Sequence, residues 1–219
     1  MSNPIKPNFK TELLPLVIIL ITGGASFYFF KNFPAEVPMH WNMAGEVDRY
    51  GSKMMGAFLF PAILLGMYLL FLVLPFMDPK KERYAQFRKV YHLFKLMMIF
   101  FMALIYFLAS LSALGFDFNI GLWVSVMVGA LFIFIGNYLG KIKSNWFMGI
   151  RLPWTLSSEE NWNKTHRFSG LVYILAGFLM MMMGLIPLGF RLYLFIFVLV
   201  LLVVLPVGYS FLLFRKSGD

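Results

Sequence analysis

Six stretches of this chain, at about 13–30, 54–77, 96–116, 120–140, 168–190 and 192–214, carry no charged residue. Each is near the roughly 20 apolar residues a helix needs to cross the hydrocarbon core of a bilayer. Few folds accept such a pattern. In lipid a spanning segment must satisfy its own backbone hydrogen bonds, as a helix does, or close into a barrel. None of the six shows the alternation of barrel strands. With 60% hydrophobic and 13% charged residues over 219 positions, there is also more apolar surface than one soluble core can hide. The expected fold class is an all-α integral membrane protein with six transmembrane helices, in a single membrane domain over 1–219. Its parts are an N-terminal helix pair (1–77) and a region of four helices (78–219).

The start, "MSNPIKPNFKTELLPLVIILITGGASFYFF", is basic and then apolar, with no A-x-A cleavage site after it. It reads as a retained first helix rather than a removed signal peptide. Fourteen of the nineteen Lys and Arg fall in 1–12, 78–89, 141–167 and 215–219, and four in 31–53, 117–119 and 191. That bias predicts both termini in the cytoplasm of a multi-pass protein. The net charge of +9 is then topology and lipid contact, and implies no direct nucleic-acid binding. Cysteine is absent, which excludes disulfides and thiolate chemistry. Proline inside the spans (Pro61, Pro75, Pro187, Pro206) predicts kinks and carbonyls that neighbouring helices must cover.

Two connections are long enough to carry function. The outer one reads "FPAEVPMHWNMAGEVDRYGSK". Pro34 and Pro38 impose extended backbone before "HWN", and a turn with a short strand or coil follows. His40, Asn42, Glu46 and Asp48 are the candidate cation ligands, but H-x-N-x3-E-x-D matches no metal motif. The loop reads first as an ordered cap with Trp41 and Tyr50 at headgroup level, with a recognition surface as the alternative.

The inner connection contains "GIRLPWTLSSEENWNKTHRFSG". Leu152 before Pro153 predicts extended chain through "RLPWTL". Ser157 as N-cap with Glu160 three residues on predicts the start of a short amphipathic cytoplasmic helix that leads into the fifth span. At helical spacing Glu159, Trp162, Asn163 and His166 share a face. Trp146, Trp154 and Trp162 suit an interface, and Arg151, Lys164 and Arg167 suit lipid phosphates. A docking face for a cytoplasmic protein, or a Glu159/His166 catalytic pair, are the alternatives. No nucleophile or HExxH accompanies the pair.

Inside the spans, Lys95 is expected to snorkel to the interface and Asn137 to bond across helices. No acidic residue is expected deep in a span, which weighs against an ion-coupled transporter. The Met run 180–183 reads as lipid-facing or gap-filling. Gly170, Gly177 and Gly184 recur every seven residues, a stripe where another helix can approach.

Both loops resemble known sequences. "VPMHWNMAGEVDRYGSK" after a first membrane helix resembles a short membrane domain of unknown function with the pattern P-x-H-W-N-x-x-G-x-x-D-x-x-G-S-K. "GIRLPWTLSSEENWNKTHRFSG" resembles the signature of the SdpI family, with Leu152 where that family usually has Thr. Their order along a six-span chain resembles a full-length SdpI-type protein. The resemblance implies a bacterial membrane immunity protein against a secreted peptide toxin. It also implies signalling, by sequestering a small winged-helix-type transcriptional repressor at the membrane. Pro38, His40, Trp41, Asn42, Gly45, Asp48 and Gly51 would then face the toxin. Arg151, Pro153, Trp154, Thr155, Glu159, Trp162, His166 and Arg167 would bind the repressor. No cofactor, metal or catalytic residue is expected. The competing readings are a metal-dependent membrane-embedded enzyme using Glu and His, and a small transporter or lipid-binding protein.

Overall fold

The computed structural model describes residues 4–217. The helices are α1 (Phe9–Asn32), α2 (Lys53–Met77), α3 (Tyr84–Ala113), α4 (Ile120–Leu139), the short α5 (Pro153–Ser157), α6 (Glu159–Met182) and α7 (Leu188–Ser217). All but α5 are long and apolar enough to cross a membrane. Two strands, β1 (Glu36–Trp41) and β2 (Val47–Ser52), form an antiparallel hairpin between α1 and α2. The chain divides into two compact units.

One unit comprises residues 7–72 and 94–124. Phe29, Phe33, Val37, Ala57 and Tyr106 form a buried cluster that seats the hairpin on α1, α2 and α3. Pro61 has no N–H to give the carbonyl of Ala57, one turn back, and the hydroxyl of Tyr106 donates to that carbonyl at 2.8 Å. Deeper in the same unit Lys95 is fully buried and pairs with Glu12 at 2.5 Å, while Tyr68 donates to the same Glu12 oxygen at 3.0 Å. Lys95 therefore does not snorkel. The missed signal is Glu12, which α1 takes into its first turn because Asn8 and Thr11 cap the helix upstream of it. Glu12 lies in the first turn of α1, at the end of the span rather than deep in it, and it neutralises the lysine.

The other unit comprises residues 4–6, 73–93 and 125–217. Ala176, Met180, Met183, Val198 and Leu202 form its apolar core. The Met run thus divides: Met180 and Met183 are buried, whereas Met182 is exposed. α4 and α6 meet through bare backbone. A Cβ on Gly170 would stand 2.7 Å from the carbonyl oxygen of Gly136, and one on Gly177 2.6 Å from that of Gly129, closer than side-chain carbons come. Gly170 and Gly177 on α6 are matched by Gly136 and Gly129 on α4, also seven residues apart, whereas Gly184 falls in the turn beyond α6. Asn137 bonds not across helices but to Ile133 in its own turn, at 2.8 Å.

The fifth span ends earlier than its hydropathy suggests. Pro187 forces Ile186 into extended backbone. Gly189 and Phe190, which the hydropathy assigns to the fifth span, and Arg191 between the two spans instead lie in the first turn of α7. Arg191 makes that economical by donating to the carbonyls of Ile186 (2.9 Å) and Gly184 (3.3 Å) left free at the break. The sharpest departure from helical geometry inside a helix is at Phe87 of α3 (φ −124°, ψ 22°), not at a proline.

Candidate functional site

Each expected polar loop is an ordered structure. In the hairpin, Asn42 shapes the turn: its Oδ1 accepts from the amides of Ala44 (2.9 Å) and Glu46 (3.0 Å). Gly45 takes φ +86°, open to glycine at little cost. His40 and Asp48 pair across the strands at 2.5 Å and are exposed to solvent. Pro38 faces Tyr50, and Gly51 gives room to Met39. Trp41 is half-buried at the end of β1. The seven predicted outer residues therefore build one hairpin, with His40 and Asp48 presented outward. Among the described residues no group of three His, Asp or Glu could hold a metal ion.

The inner segment is a knot of buried polar contacts. Pro153 begins α5 rather than extended chain, because Thr155 Oγ1 receives the amide of Leu152 at 2.8 Å and closes a helical turn. Ser158, not Ser157, caps α6, accepting from the amide of Asn161 at 3.2 Å. Glu160 is then free to pair with Lys164. Trp162 lies flat on His166, ring centres 3.9 Å apart, and both are fully buried. Trp162 Nε1 donates to the carbonyl of Ile142 at 2.8 Å. His166 Nε2 accepts the amide of Ile150 at 2.9 Å, so its proton sits on Nδ1 and is donated to the carbonyl of Trp162 at 2.8 Å. Trp154 donates to Ser210 of α7 at 2.8 Å, and Asn161 donates to the Ser210 carbonyl at 2.9 Å.

This arrangement sorts the eight inner residues. Thr155, Trp162 and His166 are interior, and Trp154 is half-buried against α7. Arg151, Pro153, Glu159 and Arg167 remain exposed. Trp162 is thus neither a lipid anchor nor a docking contact in this conformation. Glu159 and His166 do not come together: both imidazole nitrogens are engaged by backbone, and Glu159 pairs with Arg83.

The connection between α2 and α3 completes the knot. Asp78 is buried and its carboxylate accepts from the Tyr84 hydroxyl (3.0 Å) and the amides of Lys80 (2.7 Å) and Trp146 (2.9 Å). Lys80 donates to Ser144 (2.9 Å) and to the carbonyl of Leu156 (3.0 Å). Burial, with Arg83 nearby, pushes its ammonium below the ordinary lysine range. Asn145 is also buried, receiving the amides of Phe147 and Met148. Beside these groups lies a cleft of about 60 Å³ lined by Gln86, Lys143, Ser144, Glu159, Trp162 and Asn163. It has room for a few waters and is far below the size of a small-molecule pocket.

Comparison with known proteins follows the same two loops. Residues 141–210 match the SdpI/YfhL protein family, and residues 17–65 match a domain of unknown function (DUF1648). The chain is also 26% identical over 170 residues to Immunity protein SdpI of Bacillus subtilis (strain 168), covering 78% of this chain and 79% of that protein. Residues 141–210 carry the pattern of the SdpI/YfhL family, and over most of its length the chain is similar to that family's immunity protein. No solved structure matches it. With its six apolar helices it is a multi-pass bacterial membrane protein. The SdpI-matching segment runs from the Lys141 end of the knot to Ser210, which closes it. The DUF1648 segment holds the whole hairpin. Asp78, Lys80, Arg83 and Tyr84 lie outside both.

Gly149 shows how tightly this SdpI segment is drawn. Its φ is +103°, and a Cβ there would stand 3.1 Å from His166 Cδ2 and 3.2 Å from Trp162 Cζ2. Gly149→Ala should cost at least the ~1–2 kcal/mol of a left-handed non-glycine residue. A thermal melt of the purified variant in detergent checks it. An unchanged melting temperature would mean the knot is looser than the structure has it.

Proposed function

We propose that this chain is an SdpI-family immunity protein protecting its host against a secreted peptide toxin, without enzymatic chemistry, and that it signals by holding a small repressor at the membrane. The match to an immunity protein over 78% of the chain carries the reading. The hairpin is the toxin-facing element, with His40 and Asp48 its outward polar pair. Arg151, Pro153 and Glu159, exposed around a rigid knot, are the repressor-facing residues. The Lys and Arg distribution supports the hairpin outside and the knot inside.

The test uses a Bacillus subtilis strain lacking its own Immunity protein SdpI and challenged with medium conditioned by the wild-type strain. Expression of this chain should restore survival. His40→Ala with Asp48→Ala should reduce survival at normal membrane abundance. Arg151→Ala with Glu159→Ala should leave survival largely intact but lower the fraction of repressor that sediments with membranes. Single cysteines at Ala35 and Ser158 give the topology, because the chain has no other cysteine. Only the first should react with an impermeant reagent in intact cells. Loss of both activities in every variant at equal abundance would point to one shared site instead.

A further inference from the structure

We propose that the adjoining ends of α4 and α6 form a binding site for the phosphate of an anionic phospholipid, held by Lys141 and Arg167. The inference uses only the membrane placement of these helices and is independent of the immunity reading.

It begins from how the cations are paired. Lys164 pairs with Glu160, and Arg83 with Glu159. Lys141 and Arg167 are exposed, and among the described residues neither has a carboxylate or carbonyl partner. The fold nonetheless places them together. Gly136 and Gly170 bring the two helices into backbone contact, and one turn further along a Cβ on Gly140 would lie 3.4 Å from Arg167 Cα. Lys141 follows Gly140 directly, so two positive side chains leave one tight helix crossing, and among the described residues no carboxylate pairs with either.

The position selects the ligand. Lys141 lies just past the end of an apolar span, and its ammonium sits over the Tyr138 ring at 4.5 Å. Arg167 precedes Phe168, which stacks on Tyr209 of α7 with ring centres 4.3 Å apart. Both cations therefore stand where apolar helix gives way to polar chain, the level of the lipid phosphates. A guanidinium receives a phosphate through two parallel hydrogen bonds, and an ammonium adds a point charge. Asn137, one turn deeper, spends its amide on Ile133 and does not compete. Two cations without a counter-charge favour phosphatidylglycerol, which bears a net negative charge, over phosphatidylcholine, whose choline cancels its phosphate.

The test is native mass spectrometry of the full chain, titrated with dioleoyl-phosphatidylglycerol or dioleoyl-phosphatidylcholine. The wild-type chain should retain one phosphatidylglycerol in clear preference. Lys141→Gln with Arg167→Gln should weaken retention about thirtyfold, the factor for two basic residues near an anionic surface. Lys164→Gln, which removes a paired cation, should change it little. Arg167→Lys should fall between, and a thermal melt in detergent without lipid confirms that the variants are folded. Equal retention of the two lipids by wild type, or undiminished phosphatidylglycerol binding in the double variant, overturns the proposal. So does binding of a glutamate-rich peptide that phosphatidylglycerol fails to displace, which would make this an acidic-protein surface.

Discussion

Lys95→Met should destabilise the protein by about 3–5 kcal/mol, and adding Glu12→Gln should recover most of the loss. Lys95 is fully buried on α3 and its partner Glu12 lies on α1. Removing the ammonium leaves the largely buried Glu12 carboxylate without the charge that compensates it, although the hydroxyls of Tyr68 and Thr11 still donate to it. Breaking one side of a buried pair costs this much because the remaining charge is uncompensated. Replacing both partners removes the desolvation penalty together with the attraction, so the double variant should approach wild type. Unfolding in mixed detergent, run as a double-mutant cycle, measures the coupling. If the single and double variants lose the same stability, the pair is not what holds these helices together. If Lys95→Met loses nothing, the lysine reaches water after all.

Trp162→Ala is the second large effect, about 3–5 kcal/mol, the usual cost of emptying a buried tryptophan site. The loss should appear as reduced membrane abundance and a lowered melting temperature. Trp162→Phe keeps most of the buried ring and loses the hydrogen bond to Ile142, for about 1 kcal/mol. A Trp162→Ala protein with wild-type abundance and melting temperature but no partner binding would return this residue to the docking face.

The spans were legible in the sequence because lipid imposes one simple demand on length and polarity. The residues around the spans were not, because their partners are far away in the chain. Glu12 looked like a flanking charge until α1 proved to begin at Phe9. Lys95, without that partner, looked like a residue reaching for the interface. In "GIRLPWTLSSEENWNKTHRFSG" the polar and aromatic composition was plain, but composition does not say which side is inside. Helical spacing correctly put Trp162 and His166 on one face. That face turned inward, because Ile142, Ile150 and Gly149 fold over it. Lys80 sat in "DPKKER", where it counted only toward topology, and Asp78 beside it drew no reading at all. Their real partners, Ser144, Trp146 and Leu156, lie more than sixty residues on. Local cues did better where the structure is local: the extended backbone and turn expected around "HWN" became the hairpin.

The contacts of Ser210 have a consequence for how the molecule is made. Its hydroxyl receives Trp154 and its carbonyl receives Asn161, so a residue of the final helix closes a block whose other parts were synthesised earlier. Until α7 arrives, Trp154 and Asn161 lack their Ser210 acceptors, and the stack of Trp154 on Phe214 does not exist. A nascent chain can therefore place five helices in the bilayer and still present an unfinished inner surface. Completion of that surface requires the chain as far as Phe214, and a chain cut short before Ser210 lacks the closing contacts whatever the earlier helices have done.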